Sequence, residues 1–178
     1  VIADIEAARA HGPAYDRVFL CDGDALTLST NRLLPILEAI RENLPWVRRV
    51  GVYGDTRSVL SKDVAELCAL RDAGLGIVYH GLESGDDEVL RRLQKGATAA
   101  AACAMADKLR AAGIAHSVIV LLGAGGVALS AAHAHATAAC LSAMDPAYVG
   151  ALALMVEPGT PLAADLRAGR FVLPDKFG

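Results

Sequence analysis

Two short segments share one pattern: Leu70-Arg71-Asp72-Ala73-Gly74-Leu75 and Leu109-Arg110-Ala111-Ala112-Gly113-Ile114 both read L-R-x-A-G followed by an aliphatic residue. In each, a helical stretch stops at a glycine, which takes the left-handed conformation that closes a helix at little steric cost. An apolar residue then opens a strand. A helix-to-strand joint that recurs along a chain describes consecutive βα units. Strands joined through a helix run parallel, because a tight turn can only return the chain antiparallel.

The rest of the chain fits that frame. Apolar, β-branched or aromatic runs at Arg17–Cys21, Arg49–Tyr53, Gly76–Leu82, Ser117–Leu122 and Tyr148–Val156 read as strands. Helical faces lie between them: Leu33, Leu37, Ile40 and Leu44; Val64, Leu67 and Cys68; Ala102, Met105, Ala106 and Leu109; and a weaker set of Ala134, Ala138 and Leu141. Thr30 or Asn31, Ser61, Asp86, Thr98, Ser130 and Thr160 stand where helix caps are needed, and Gly74, Gly113 and Gly169 where helices end. At 178 residues, 54% hydrophobic and 4% aromatic, the chain suits one α/β domain over residues 1–178 with Ala/Leu/Val-rich helices around a buried sheet. Periodicity leaves open whether the sheet closes into a (β/α) barrel or stays doubly wound.

Composition excludes several functions. A net charge of −3 with both signs interspersed leaves no footprint for nucleic acid. The longest charge-poor stretch, Gly113 to Met144, contains three loop glycines and three histidines, so it reads as strand, loop and helix and not as a membrane span. No signal peptide is visible. Cys21, Cys68, Cys103 and Cys140 lie 35 to 47 residues apart, mostly within apolar runs, which argues for buried free thiols in a reducing compartment, the cytoplasm. A start at Val1 inside a helical pattern reads as an internal piece of a longer chain.

Polar groups follow every strand: Asp22-Gly23-Asp24, then Asp55-Thr56-Arg57, Glu83-Ser84-Gly85, Gly123 to Gly126, and Glu157-Pro158-Gly159-Thr160. Parallel strands place all these loops on one rim, where ligands bind. Asp22, Asp24 and Glu83 can serve as acids, metal ligands or acceptors for ammonium and hydroxyl groups, and the last is the most economical because no His or Cys stands at ligand spacing. Asp22-Gly23-Asp24 also reads as a polar turn, and Glu83-Ser84-Gly85-Asp86 as a helix-capping loop. Gly123-Ala124-Gly125-Gly126-Val127-Ala128 fits the G-x-G-x-x-A form of a dinucleotide loop, but that fingerprint needs an acid about 20 residues on at the end of the next strand, and here Asp145 falls before the strand begins while Glu157 lies about 30 residues on. His133 and His135 point in nearly opposite directions on a helix and read as partly exposed, and His80 should face the packed helices, away from Glu83.

Taken together, VFLCDGDALTLS, GVYGDTRSVLS, GIVYHGLESGDDEVLRRLQKG, AAGIAHSVIVLLGAGG and DPAYVGALALMVEPGTPL, in that order, resemble the middle of a radical S-adenosylmethionine (SAM) enzyme. The broad group is the one that includes elongator-type, methylthiotransferase-type and oxygen-independent coproporphyrinogen-oxidase-like proteins. The resemblance implies a partial (β/α)6 TIM-like barrel of parallel strands that lacks its first strand. It places Asp22, Gly23 and Asp24 where the family accepts hydrogen bonds from the methionyl ammonium, and Glu83 and Ser84 near the ribose and methionyl end. Arg57, turned inward, would meet the carboxylate; Gly123 ends the strand against which adenine packs, and Val156 would offer backbone groups. The family also holds a [4Fe-4S] cluster on C-x3-C-x2-C, a spacing absent here, so no metal ligands are assigned and the chain alone should not cleave SAM. The expected function is thus SAM binding within a parent enzyme that cleaves SAM to a 5'-deoxyadenosyl radical and acts on a small-molecule or macromolecular substrate. A degenerate homologue, an NAD(P)-binding oxidoreductase domain using the Gly123 loop, and a structural module are the alternatives. The open edge at Val18–Cys21 suggests self-association.

Overall fold

The structure is a computed structural model and describes residues 1–175, except the side chain of Asp22. Helices and strands alternate: α1 (Ile2–Ala10), β1 (Arg17–Asp24), a 3-10 turn (Ala25–Thr27), α2 (Thr30–Asn43), β2 (Arg49–Tyr53), α3 (Thr56–Leu60), α4 (Val64–Asp72), β3 (Leu75–Glu83), α5 (Asp87–Arg92), α6 (Ala99–Ala112), β4 (Ala115–Leu122), α7 (Ser130–Met144), β5 (Tyr148–Ala153) and α8 (Pro161–Arg167). The strands hydrogen-bond in the order β1-β2-β3-β4-β5, and the β1–β2 and β2–β3 pairs are parallel. This is the sequential α/β sheet that the repeated helix–Gly–strand joints imply. Gly74 and Gly113 take φ of +119° and +72°, a region that side chains avoid, and so end α4 and α6 as the sequence suggests.

The chain forms two compact units, one of Val1–His80 with Ala104–Ser117 and one of Gly81–Cys103 with the residues from Val118 onward. The first has a continuous apolar core: Leu33, Leu37 and Ile40 of α2, Val50 and Val52 of β2, Leu67 and Leu70 of α4, Leu75 and Val78 of β3, and Met105 and Leu109 of α6. Each fully buried aliphatic side chain contributes about 1.5–3 kcal/mol. Val64, expected on the α4 face, is instead exposed. In the second unit the buried apolar groups include Leu82, Val89, Leu90, Val118, Ala124 and Phe171.

Several helix starts differ from the sequence reading. Asp55 caps the short α3, and Asp63, not Ser61, caps α4, in a reciprocal box whose partner is Glu66. The Asp63 N–H, and then the Thr30 hydroxyl, hold the Glu66 carboxyl below its usual range. Asp86 and Thr160 cap as expected, accepting from Val89 and Ala163. The buried face of α7 is His133, Thr137, Cys140 and Met144, whereas Ala134 and Ala138 are exposed. Alanine supplies little area to bury, so larger, partly polar side chains with hydrogen-bond partners take the inner face. Among the described residues, no helix is long and apolar enough to cross a membrane.

Candidate functional site

In the first unit, Asp22-Gly23-Asp24 does not form a loop after β1 but bulges within it. Leu20 pairs with Val52 and Asp24 with the next residue, Tyr53, so Cys21, Asp22 and Gly23 are extra residues on β1. Gly23 makes the turn at φ +84°. The Asp22 side chain lies outside the described residues. Both oxygens of Asp24 are used within the fold: Oδ1 accepts from the Leu26 N–H at 2.9 Å, and Oδ2 accepts from the Asp55 N–H at 2.9 Å. Asp24 thereby fastens the bulge to the start of α3. On that helix Arg57 is exposed.

Behind the strands of this unit lie His80 and His116. His80 is 1% exposed and faces the helices as its alternation requires, with Nε2 3.1 Å from the Thr56 hydroxyl. Its ring stacks on that of His116 at 5.4 Å. Neither ring nitrogen of His116 has a protein partner, and burial, with the Arg110 charge second, pushes its pKa down to about 4. It is therefore a neutral packing residue at neutral pH.

Among the candidate residues, Glu83 has the most unusual backbone. It ends β3 at φ +65°, in the left-handed region that costs a side-chain-bearing residue roughly 1–2 kcal/mol. Its carboxylate is 3.1 Å from the Lys95 Nζ, with the two side chains 20% and 25% exposed. Gly81 makes room for this pair, because a Cβ there would collide with Glu83 Oε1. Lys95 is a site residue that strand-end reasoning passed over, although the Lys-Gly closing the α5 segment was a visible signal.

Ser84 lies beside Glu83. Fully buried, its hydroxyl shares a hydrogen bond with His133 Nδ1 at 2.8 Å and accepts from the Asp86 N–H at 3.0 Å. His133 Nε2 in turn donates to the Leu121 carbonyl at 3.0 Å. Gly85 donates its N–H to the Thr137 hydroxyl at 2.9 Å, and a Cβ on it would collide with the Ala136 carbonyl. His133 is thus buried and bonded, contrary to its expected exposure, while His135 is exposed. The i, i+4 spacing of His133 and Thr137 was the available signal. Through Ser84 and Gly85, α7 holds the segment that carries Glu83.

Packing accounts for the glycines of the β4–α7 loop. Gly125 sits against the Leu129 carbonyl and His133 Cβ, and Gly126 against Phe171 and the Val172 carbonyl, which also accepts from the Val127 N–H at 2.9 Å. Gly123 turns the chain at φ +85°. Val156 is half-buried beyond the end of β5, which stops at Ala153. Among the described residues, no group of three His, Cys, Asp or Glu side chains could hold a metal ion.

A parallel α/β sheet with its polar groups at the C-terminal strand ends defines a partial barrel of the TIM-like class. The sequence model of the radical SAM superfamily matches residues 1–133. The chain belongs to the radical SAM superfamily. Similar solved structures include methylornithine synthase (TM-score 0.70, 20% identity, 91% of this chain and 46% of that one). Coproporphyrinogen III oxidase from Escherichia coli, described as a radical SAM enzyme, matches at TM-score 0.70 and 15% identity, over 99% of this chain and 41% of its own. The archaeal Elp3 of Methanocaldococcus infernus matches at TM-score 0.70 and 16% identity, over 96% and 44%. The chain spans less than half the length of each of these. No curated protein matches it.

Proposed function

We propose that residues 1–178 are the SAM-binding part of a radical SAM enzyme, with Glu83 as the principal acceptor for the cofactor's hydroxyl and ammonium groups. The observation that carries this reading is Glu83 itself: a charged side chain kept at φ +65°, where Gly or Asn would be less strained. Its carboxylate is partly exposed at a strand end and already oriented by a cation. Lys95 supplies the positive charge that a ligand carboxylate would meet. Ser84, His133 and Thr137 position this segment from behind without touching the ligand.

In the first unit the Asp24 side chain holds the Asp22-Gly23-Asp24 bulge in shape. Gly123 and Val156 would flank the adenine. When bound together with a [4Fe-4S] cluster, the cofactor would supply reductive chemistry at its sulfonium. The cysteines of this chain do not suit that cluster, being 35 to 47 residues apart. Its ligands are therefore assigned to residues outside this sequence. Four free thiols suit the cytoplasm as the compartment.

The test is anaerobic reconstitution, with iron and sulfide, of the full-length protein that contains these residues. Formation of 5'-deoxyadenosine from SAM under dithionite is expected. Its absence from a preparation with an intact cluster would refute the enzyme reading.

A further inference from the structure

Two of the four free cysteines lie together. Cys103 in α6 and Cys140 in α7, both in the second unit, hold their sulfurs 3.6 Å apart. That is van der Waals contact, roughly 1.5 Å longer than a disulfide bond of about 2.05 Å. The two sites differ in access. Cys103 is half-buried, whereas Cys140 is buried, with its sulfur also 3.6 Å from the Met144 thioether.

We propose that Cys103 and Cys140 are a redox-active pair that closes to a disulfide, with the accessible Cys103 as the entry thiol and the buried Cys140 as the resolving thiol. The oxidant class is a low-molecular-weight disulfide. Cys103 thiolate attacks one sulfur of the oxidant and expels a thiolate, which takes up a proton. Cys140 then gives its proton to water and attacks the Cys103 sulfur, expelling the second thiolate. Two electrons and two protons leave the protein pair, and one oxidant becomes two thiols. Burial, with the neighbouring Cys103 thiol second, pushes the Cys140 thiol up to about 12, so resolution is the slow step and quickens with rising pH. The same burial favours an uncharged disulfide over any thiolate product.

Position gives the bond a consequence. Cys140 shares the inner face of α7 with His133 and Thr137, which hold Ser84 and Gly85. Closing the pair ties α6 to the helix that positions Glu83.

The experiment reduces the full chain, removes the reductant, adds excess oxidised glutathione in mildly alkaline buffer, alkylates the remaining thiols and maps the peptides. The expected product links Cys103 to Cys140 and leaves Cys21 and Cys68 outside any cross-link. Cys140→Ser should stop at a stable mixed disulfide of glutathione with Cys103, and Cys103→Ser should leave Cys140 reduced. Wild-type protein supplies a second readout without mutation: its urea midpoint should rise on oxidation and fall again with dithiothreitol. Alkylation of both thiols after oxidation, glutathione persisting on wild-type Cys103, or chelator-sensitive protection of both thiols with no loss of hydrogen overturns the proposal.

Discussion

Lowering the pH from 8 to 5 tests the reading of His116 as a buried neutral residue. Its ring is 6% exposed, and its pKa stands at about 4, against 6.5 for an ordinary histidine. The folded state therefore resists a proton that the unfolded chain accepts below pH 6.5. The stability this supplies is complete above pH 6.5 and is lost as the pH falls through the window from 6.5 to 4. The loss amounts to about 2 kcal/mol at pH 5 and about 3 kcal/mol once both states are protonated. With a urea slope of about 2 kcal/mol per molar, the midpoint should drop by about 1 M between pH 8 and pH 5. His116→Leu should flatten that dependence at little cost at pH 8, since neither ring nitrogen has a protein partner to lose. Among the described residues the carboxylates whose pKa values are lowered, Glu66 and Glu88, lose their stabilising effect at lower pH, so they do not obscure this window. A wild-type midpoint that holds steady from pH 8 to pH 5, or an unchanged slope in His116→Leu, would refute the reasoning.

Other expectations concern the segment around Glu83. Replacing His133 by Leu removes one hydrogen bond each from the Leu121 carbonyl, which keeps the Ala124 N–H, and the Ser84 hydroxyl, which keeps the Asp86 N–H, and should cost about 1–3 kcal/mol in urea unfolding. In a double-mutant cycle with Ser84→Ala the two losses should fall short of additive by about 1 kcal/mol or more. Gly85→Ala drives a Cβ into the Ala136 carbonyl and should cost about 1–3 kcal/mol by the same assay, with weaker SAM binding because the Glu83 segment must shift. Glu83→Asn should leave the unfolding midpoint unchanged or raise it, since Asn tolerates positive φ, while weakening SAM binding about tenfold or more.

The architecture was readable in the sequence wherever a residue has one physical role. Gly74 and Gly113 mark helix ends because a left-handed cap favours glycine, and β2 runs from Arg49 to Tyr53 as its β-branched pattern indicates. The α2 and α6 faces were legible because large aliphatic groups recur at helical spacing. Its limits came from polar residues whose partners are distant in sequence. Nothing local distinguishes Asp24 as a ligand group from Asp24 as a fastener, since the Asp55 N–H that claims it is 31 residues away. Likewise His133 looked exposed because Ser84, 49 residues before it, cannot be paired with it from spacing alone. The face of α7 was misread because alanine carries almost no periodic signal. Glu83, by contrast, was singled out from the motif, and its positive φ adds a physical reason that no periodicity reveals.

Titration of the chain with SAM, wild type against Glu83→Gln, measures the central claim most directly. The wild-type chain should show saturable binding, and Glu83→Gln should weaken it about tenfold or more, in keeping with the loss of one charge-assisted hydrogen bond of about 1.5–3 kcal/mol. Absence of saturable SAM binding by the folded wild-type chain, or equal affinity in the variant, would contradict the account.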